Sequence, residues 1–415
     1  MWMSNGWTGG QYSLFRAIFG TYLFVHFVQL IPWGTELFSE HSILPQASTS
    51  PLTYLFPNIL ALWDAPACVT ALLVIAVGLS ILFAIGYYDR AAAAALCYLW
   101  ACLFGRDLLS ANPSLLYVGW LLLAHAFLPP APYGSWAARG RPDPDGSWRM
   151  PQPIYTAAWI LMALGYTCSG FTKLVSPSWL DGTALARVLE NPLARPGLLR
   201  EALLAMPTGV LHFASWGALG LELAFAPLAL IARLRPWLWG LTLAMQLSLV
   251  VVLDFANLNF GMVMLHLFTF DPAWVRPRKA AGTELLFYDG HCGLCHRAVR
   301  FVLAEDRAGD TFRFAPLESE AFHAAVREPD RGALPDSLIV LTANSILLTR
   351  SAAVLHILRR LGGMWRLLAG VASVVPAVAR DGLYDGIARI RPFLFRTPAQ
   401  SCPLVPANLR GRFKA

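Results

Sequence analysis

The sequence predicts two joined domains of different class, an all-α polytopic membrane domain of about eight spans followed by an α/β domain. Three observations carry this. Of 415 residues, 56% are hydrophobic and 14% charged, whereas soluble domains carry roughly 25% charged residues. The charge is also unevenly placed. Residues 1–275 hold 12 Lys+Arg and 13 Asp+Glu, residues 276–415 hold 20 and 12, and the net +7 is therefore −1 plus +8. Finally, a Cys-x-x-Cys pair lies in the basic part, between a short strand-like run and a helical pattern. The expected division is 1–275 for the membrane domain and 276–415 for the second. So apolar a chain excludes a disordered segment and a nucleic-acid-binding body.

A bilayer-crossing helix needs about 20 apolar residues. The clearest are 67–86, 154–175 and 209–232, with 11–31, 91–105, 114–129, 237–253 and 258–270 shorter or more polar. The last two read alternatively as one helix broken around Asp254, Asn257 and Asn259. No basic n-region precedes the first stretch and no small-x-small site follows it, so it is expected to be a span rather than a signal peptide. Arginines cluster in alternate connections: Arg90, then Arg139, Arg141 and Arg149, then Arg233 and Arg235, then Arg276 and Arg278 with Lys279. Cytoplasmic loops carry such an excess. An inner (plasma) membrane protein with its basic second half in the cytoplasm follows, provided the number of spans is even.

Ionisable groups inside spans are costly and need a reason. Lysine occurs only at 173, 279 and 414, and Lys173 sits near the end of the fifth span. A buried lysine is available as a base; a snorkelling side chain at a helix end is the bland reading. Glu222, Asp254, His26, His125, His212 and His266 also lie in or beside spans, and each histidine taken singly reads as a packed, hydrogen-bonded residue.

Around Lys173 the sequence is GYTCSGFTKLVSPSWLDG, residues 165–182. With NPSLLYVGWLLLAHAFLP at 112–129 and the helix of Glu222, it resembles the HTTM family, the membrane region shared with vitamin K-dependent gamma-carboxylases, over roughly 10–275. In those carboxylases a lysine of this segment deprotonates vitamin K hydroquinone, and the resemblance places Lys173 at that base position. Thr172 stands where the carboxylases have a second lysine, and their large extracytoplasmic domain has no counterpart. The resemblance thus implies a quinone-like or lipid ligand in the membrane domain rather than protein carboxylation.

From residue 284 soluble α/β punctuation begins. ELLFYDG reads as a strand and turn, HCGLCHRAVRFVLAEDR as a helix, FRFA (312–315) as a strand, 318–328 as a helix, LIVLT (338–342) and 345–349 as strands, and 352–361 as a helix. That order is thioredoxin-like. A Cys at a helix N-terminus has its thiolate stabilised by unpaired N–H groups and the helix dipole. Cys292 is therefore the expected nucleophile, and Cys295, one turn on, the resolving thiol. Asp289 reads either as a proton or water orienter or as a turn residue capping the helix. With His296 the motif also fits c-type haem attachment, which the cytoplasmic placement opposes; zinc lacks a second pair of ligands, so no metal is expected. A structural pair without activity is the remaining reading.

YDGHCGLC, VRFVLAEDR, FRFAPLES, the Ser351-x-x-Val354 helix, the VVPAVARDGLYDGIARIRPFLF run and the late Cys402-Pro403 together resemble the DCC family of thiol-disulfide oxidoreductases over about 284–413. The resemblance implies that Cys292 and Cys295 are the redox pair. Cys402 matches the family's late cysteine, as a third exchange partner or a structural thiol. Pro335 and Pro316 are both candidates for a cis-proline facing the pair. Cys68, Cys97, Cys102 and Cys168 lie in or beside spans and read as small apolar residues.

The resulting expectation is a membrane-anchored thiol-disulfide oxidoreductase. Its partners are the lipid bilayer, a thiol or disulfide substrate and an external thiol reductant, with no nucleic acid. Two alternatives are a redox-gated membrane binding or transport protein and a gamma-carboxylase-like enzyme using Lys173. The segment 350–396 alternates apolar stretches with eight arginines, and reads as a basic amphipathic element held against an anionic leaflet or as packed helices with solvated arginines.

Overall fold

All eight apolar stretches fold as helices: α1 (Gly9–Leu30), α2 (Pro66–Ile85), α3 (Asp89–Arg106), α4 (Pro113–Ala126), α5 (Gln152–Lys173), α6 (Thr208–Ala229), α7 (Arg235–Val252) and α8 (Ala256–Thr269). The structure, a computed structural model, describes residues 5–44, 46–47, 50–107, 109, 112–145, 147–254, 256–278, 282–331, 334–335, 337–395 and 406–414. Local chemistry sets the helix ends. Proline opens α2, α4, α5 and α7 in the first turn, where its missing N–H costs nothing. Asn112 caps α4 by accepting the Ser114 N–H at 3.0 Å, and Gly86 closes α2 at φ 75°.

Five stretches are long and apolar enough to cross a membrane: Gly9–Phe38, Pro66–Ile85, Gln152–Lys173, Thr208–Ala229 and Arg235–Val252. A sixth is added if Gly363–Ala372 and Ala377–Arg391, bent by 113°, act together. This is tighter than the expected eight. The other three helices fail for stated reasons: α3 carries Asp89, Arg90 and Arg106 in 18 residues, while α4 and α8 have 14 residues each, about 21 Å of helix against a core of about 30 Å. The chain breaks between α7 and α8, where the Asp254 N–H donates to the Leu193 carbonyl at 2.7 Å.

The chain divides into two compact units. The first comprises Met1–Met3, Phe15–Leu128 and Pro151–Phe270; the second comprises Ser4–Leu14, Pro129–Met150 and Asp271–Ala415. In the first, α5 packs on α6, α3 on α2 and α4, and α8 on α4, α5 and α7. Its helices are apolar outside as well as inside, with Val74, Phe213, Trp237 and Leu241 more than half exposed, the pattern of a bundle facing lipid. Several buried polar groups are paired: Arg16 lies 3.2 Å from Asp89, with His125 at 3.5 Å from the same carboxylate. His266 meets Tyr166 Oη at 3.2 Å, and the His26 ring lies 5.0 Å from that of Trp100, tilted by 38°.

The second unit is built on four strands, β1 (Glu284–Tyr288), β2 (Phe312–Pro316), β3 (Ile339–Leu341) and β4 (Leu347–Thr349), in the order β2-β1-β3-β4. β1 pairs parallel with β2 (Leu286 opposite Phe314), and antiparallel with β3 (Leu286 opposite Val340). Helix α9 (Gly293–Glu305) makes the crossover between β1 and β2, α10 (Glu320–Ala325) follows β2, and α11 (Arg350–Leu361) follows β4. This is the thioredoxin-like order expected from the sequence. Alternate residues of β1 face opposite layers: Leu286 and Tyr288 pack with Val299, Val302 and Ile357, whereas Phe287 packs with Phe322 and Val326. Two further helices, α12 (Gly363–Ala372) and α13 (Ala377–Leu394), complete the unit. Within segment 350–396, Arg350 pairs with Asp385 at 3.0 Å and Ser351 donates to Asp381 at 2.5 Å.

Candidate active site

The Cys-x-x-Cys pair lies just beyond the carboxyl end of β1, where the chain turns into α9. Asp289 shapes that turn: its Oδ1 accepts the His291 N–H at 2.8 Å and its carbonyl accepts the Cys292 N–H at 3.3 Å. Cys292 is the N-cap of α9, extended at φ −100°, ψ 113°, and its Sγ accepts the Cys295 N–H at 3.2 Å. A sulfur at this position takes the part a serine or aspartate usually plays at an N-cap, and negative charge on it satisfies helix donors. Cys295 begins the buried stripe of α9 that continues through Val299 and Val302, so amphipathic periodicity drives the second thiol inward.

Both thiols are more than nine-tenths buried, and all six described cysteines are free. The hydrogen bond from the Cys295 thiol brings the Cys292 pKa down to about 6, against the effect of burial and with help from the Cys295 and Leu294 N–H groups and the Arg391 charge. The same hydrogen bond, burial and the adjacent Cys292 charge push Cys295 strongly upward. One thiolate is thereby made and one proton kept.

Arg391 is the site residue that sequence reasoning missed. It comes from α13 and lies 3.6 Å from Asp289 Oδ2. Nothing local in the motif signals it, since the contact joins segments far apart in the chain; sequence reasoning counted it among the arginines of 350–396. Asp289 is thus placed as a turn-forming residue and an arginine partner. Cys402 lies outside the described residues. No peptide bond among the described residues is cis, so neither Pro316 nor Pro335 supplies the expected cis-proline. No group of three or more His, Cys, Asp or Glu among the described residues is placed to hold a metal ion.

In the first unit, Lys173 Nζ donates to Glu222 Oε2 at 2.5 Å and to Ser169 Oγ at 2.8 Å, with the Trp179 ring 4.9 Å away. Gly170 makes the pair possible: a Cβ there would fall 2.9 Å from the Leu223 backbone nitrogen, so only glycine lets α5 approach α6 this closely. Glu222 was noted from the sequence, but not as the partner of Lys173.

A sheet of this order carrying an N-capped Cys-x-x-Cys pair, in a chain with several helices apolar enough to span a bilayer, defines a multi-pass membrane protein with a thiol-disulfide oxidoreductase domain. Residues 9–274 match the HTTM domain, and residues 286–397 match the DCC1-like thiol-disulfide oxidoreductase domain. The chain belongs to the HTTM family and carries a DCC1-like domain. It is similar to the uncharacterized protein YuxK of Bacillus subtilis, 30% identical over 134 residues that cover 31% of this chain and 93% of that protein. It is also similar to a chloroplastic DCC family protein of Arabidopsis thaliana, 32% identical over 135 residues, 32% of this chain and 77% of the relative. No solved structure matches the chain.

Proposed function

We propose that the second unit is a dithiol–disulfide exchange enzyme whose nucleophile is Cys292 and whose resolving thiol is Cys295. The observation that carries this is the Cys292 sulfur accepting the Cys295 N–H at 3.2 Å on the N-cap of α9. The Cys292 thiolate attacks one sulfur of a substrate disulfide, forming a mixed disulfide and expelling the other sulfur as thiolate, which takes up a proton. Loss of the Cys292 charge removes one of the influences that hold the proton on Cys295. Cys295 then releases that proton, attacks Cys292 Sγ and expels the second substrate thiol. The substrate disulfide gains two electrons and the pair becomes a disulfide, which an external thiol reductant returns to two thiols.

The membrane domain anchors this unit, and the clustered loop arginines support a cytoplasmic position for it at the inner (plasma) membrane if all eight helices cross, an even number, whereas the five candidate spans alone would put it on the opposite side. Exchange is measured with the full chain in detergent, using a dithiol-reduced sample and a fluorescent disulfide peptide. Turnover that is lost in Cys292→Ser, with a substrate adduct trapped in Cys295→Ser, is the expected result. A fully reduced wild type that exchanges no faster than glutathione would overturn the reading and leave the redox-gated binding or transport protein. Labelling of Cys292 by a membrane-impermeant maleimide tests the side: reaction only in inverted vesicles is expected.

A quinone- or lipid-like ligand for the membrane domain is supported by the Lys173–Glu222 pair, charges that need a reason within candidate spans. The amine is held by two acceptors, Glu222 Oε2 and Ser169 Oγ. Binding of a soluble quinone analogue that is unchanged in Lys173→Ala would reduce the pair to a structural role.

A further inference from the structure

The second unit contains a cavity of about 420 Å³ walled by α11, the β3–β4 turn, Arg278 and Arg380. It includes Glu284, the first residue of β1, whereas the cysteines follow the last; a five-residue strand separates the two by roughly 13–17 Å. The cavity is therefore apart from the thiol site.

Four arginines line it: Arg278, Arg359, Arg360 and Arg380. Glu284, 2% exposed, is already committed, because it accepts from His356 Nε2 at 2.8 Å and Arg360 Nε at 3.3 Å. Arg278, Arg359 and Arg380 remain, each from a different element, and among the described residues no carboxylate is in ion-pair range of them. Arg380 spends its Nε on the Val375 carbonyl at 2.9 Å. Three guanidinium groups around one void repel one another and are relieved by an anion with several oxygens, for which planar N–H forks are suited. The remaining wall is mixed, with Ile346, Leu348 and Leu355 beside Thr342, Asn344 and His356.

We propose that this cavity binds a phosphoester anion, its phosphate held by Arg278, Arg359 and Arg380 and its organic part laid against Ile346 and Leu348. The ligand is either a phospholipid headgroup or a soluble organic phosphate, and the site is independent of the thiol chemistry. The test titrates the full chain in a neutral detergent with glycerol 3-phosphate and with dihexanoyl phosphatidic acid, followed by calorimetry. Saturable binding of at least one is expected, weakened about tenfold or more in Arg359→Gln/Arg380→Gln, which removes charge-assisted hydrogen bonds. Binding of the lipid alone assigns a bilayer source; binding of both assigns a soluble one. No saturable binding of either probe, or binding unchanged in the double variant, overturns the proposal. Should that variant fail to fold, Ile346→Glu, at a position 55% exposed on the β3–β4 turn, places a carboxylate at the mouth without removing a buried contact. It must weaken binding in the same direction, and unchanged affinity there overturns the proposal equally.

Discussion

Arg391 of α13 lies 3.6 Å from Asp289, the residue that forms the turn before the Cys-x-x-Cys pair. The last long helix of the chain is thereby tied to the start of α9, and its positive charge favours the thiolate of Cys292. Arg391→Gln is expected to slow alkylation of Cys292 at neutral pH by roughly two- to fivefold, the scale of one partly screened charge. The rate against pH reads it out, and the midpoint must move upward; an unmoved midpoint would make Arg391 a packing residue only.

In the wild type, that alkylation profile should have its midpoint at about 6, far below an ordinary thiol. Cys295→Ala removes the thiol hydrogen bond that contributes most to the lowering and should shift the midpoint up while leaving Cys292 reactive. Mass mapping of the alkylated residue checks that Cys292, and not Cys295, carries the label.

At the other end of α9, Glu305 is buried and accepts from the Thr8 hydroxyl, the Gly10 N–H at 3.0 Å and Trp365 Nε1 at 2.5 Å. Burial raises its pKa, against the pull of these three donors and Arg307. Between its ordinary value and the raised one, the folded state binds the proton and the unfolded state does not. Its contribution to stability therefore falls as pH rises through that window. Thermal unfolding should show this slope, and Glu305→Gln should flatten it. Glu305→Ala leaves two buried donors and the half-buried Trp365 Nε1 without their acceptor and should cost about 1–3 kcal/mol.

For the membrane domain, Lys173→Met leaves Glu222 a buried carboxylate, its side chain 7% exposed, without its cation. The expected loss is about 3 kcal/mol, the low end for breaking a buried pair, because Lys173 keeps 20% exposure. Lys173→Met/Glu222→Leu should recover much of it. Melting of the detergent-solubilised variants distinguishes this from independent effects, which would simply add.

The sequence by itself determined the parts that depend on neighbours in the chain. Apolar runs made eight helices, and the short apolar run of β1 together with the stripe of α9 placed the cysteines where the strand turns into the helix. Those signals are local, set by backbone geometry and by which side chains water excludes. Span number was less legible, because α3, α4 and α8 are apolar enough to be buried but too charged or too short to cross a bilayer unaided. Only the tertiary structure decided that segments 4–14 and 129–150 join the second unit, that Glu222 meets Lys173, and that Arg391 reaches Asp289. It also left three arginines facing one cavity while Glu284 neutralises the fourth. Charge pairing acts through space over a few ångströms, and folding alone brings such partners from distant parts of the chain within that range.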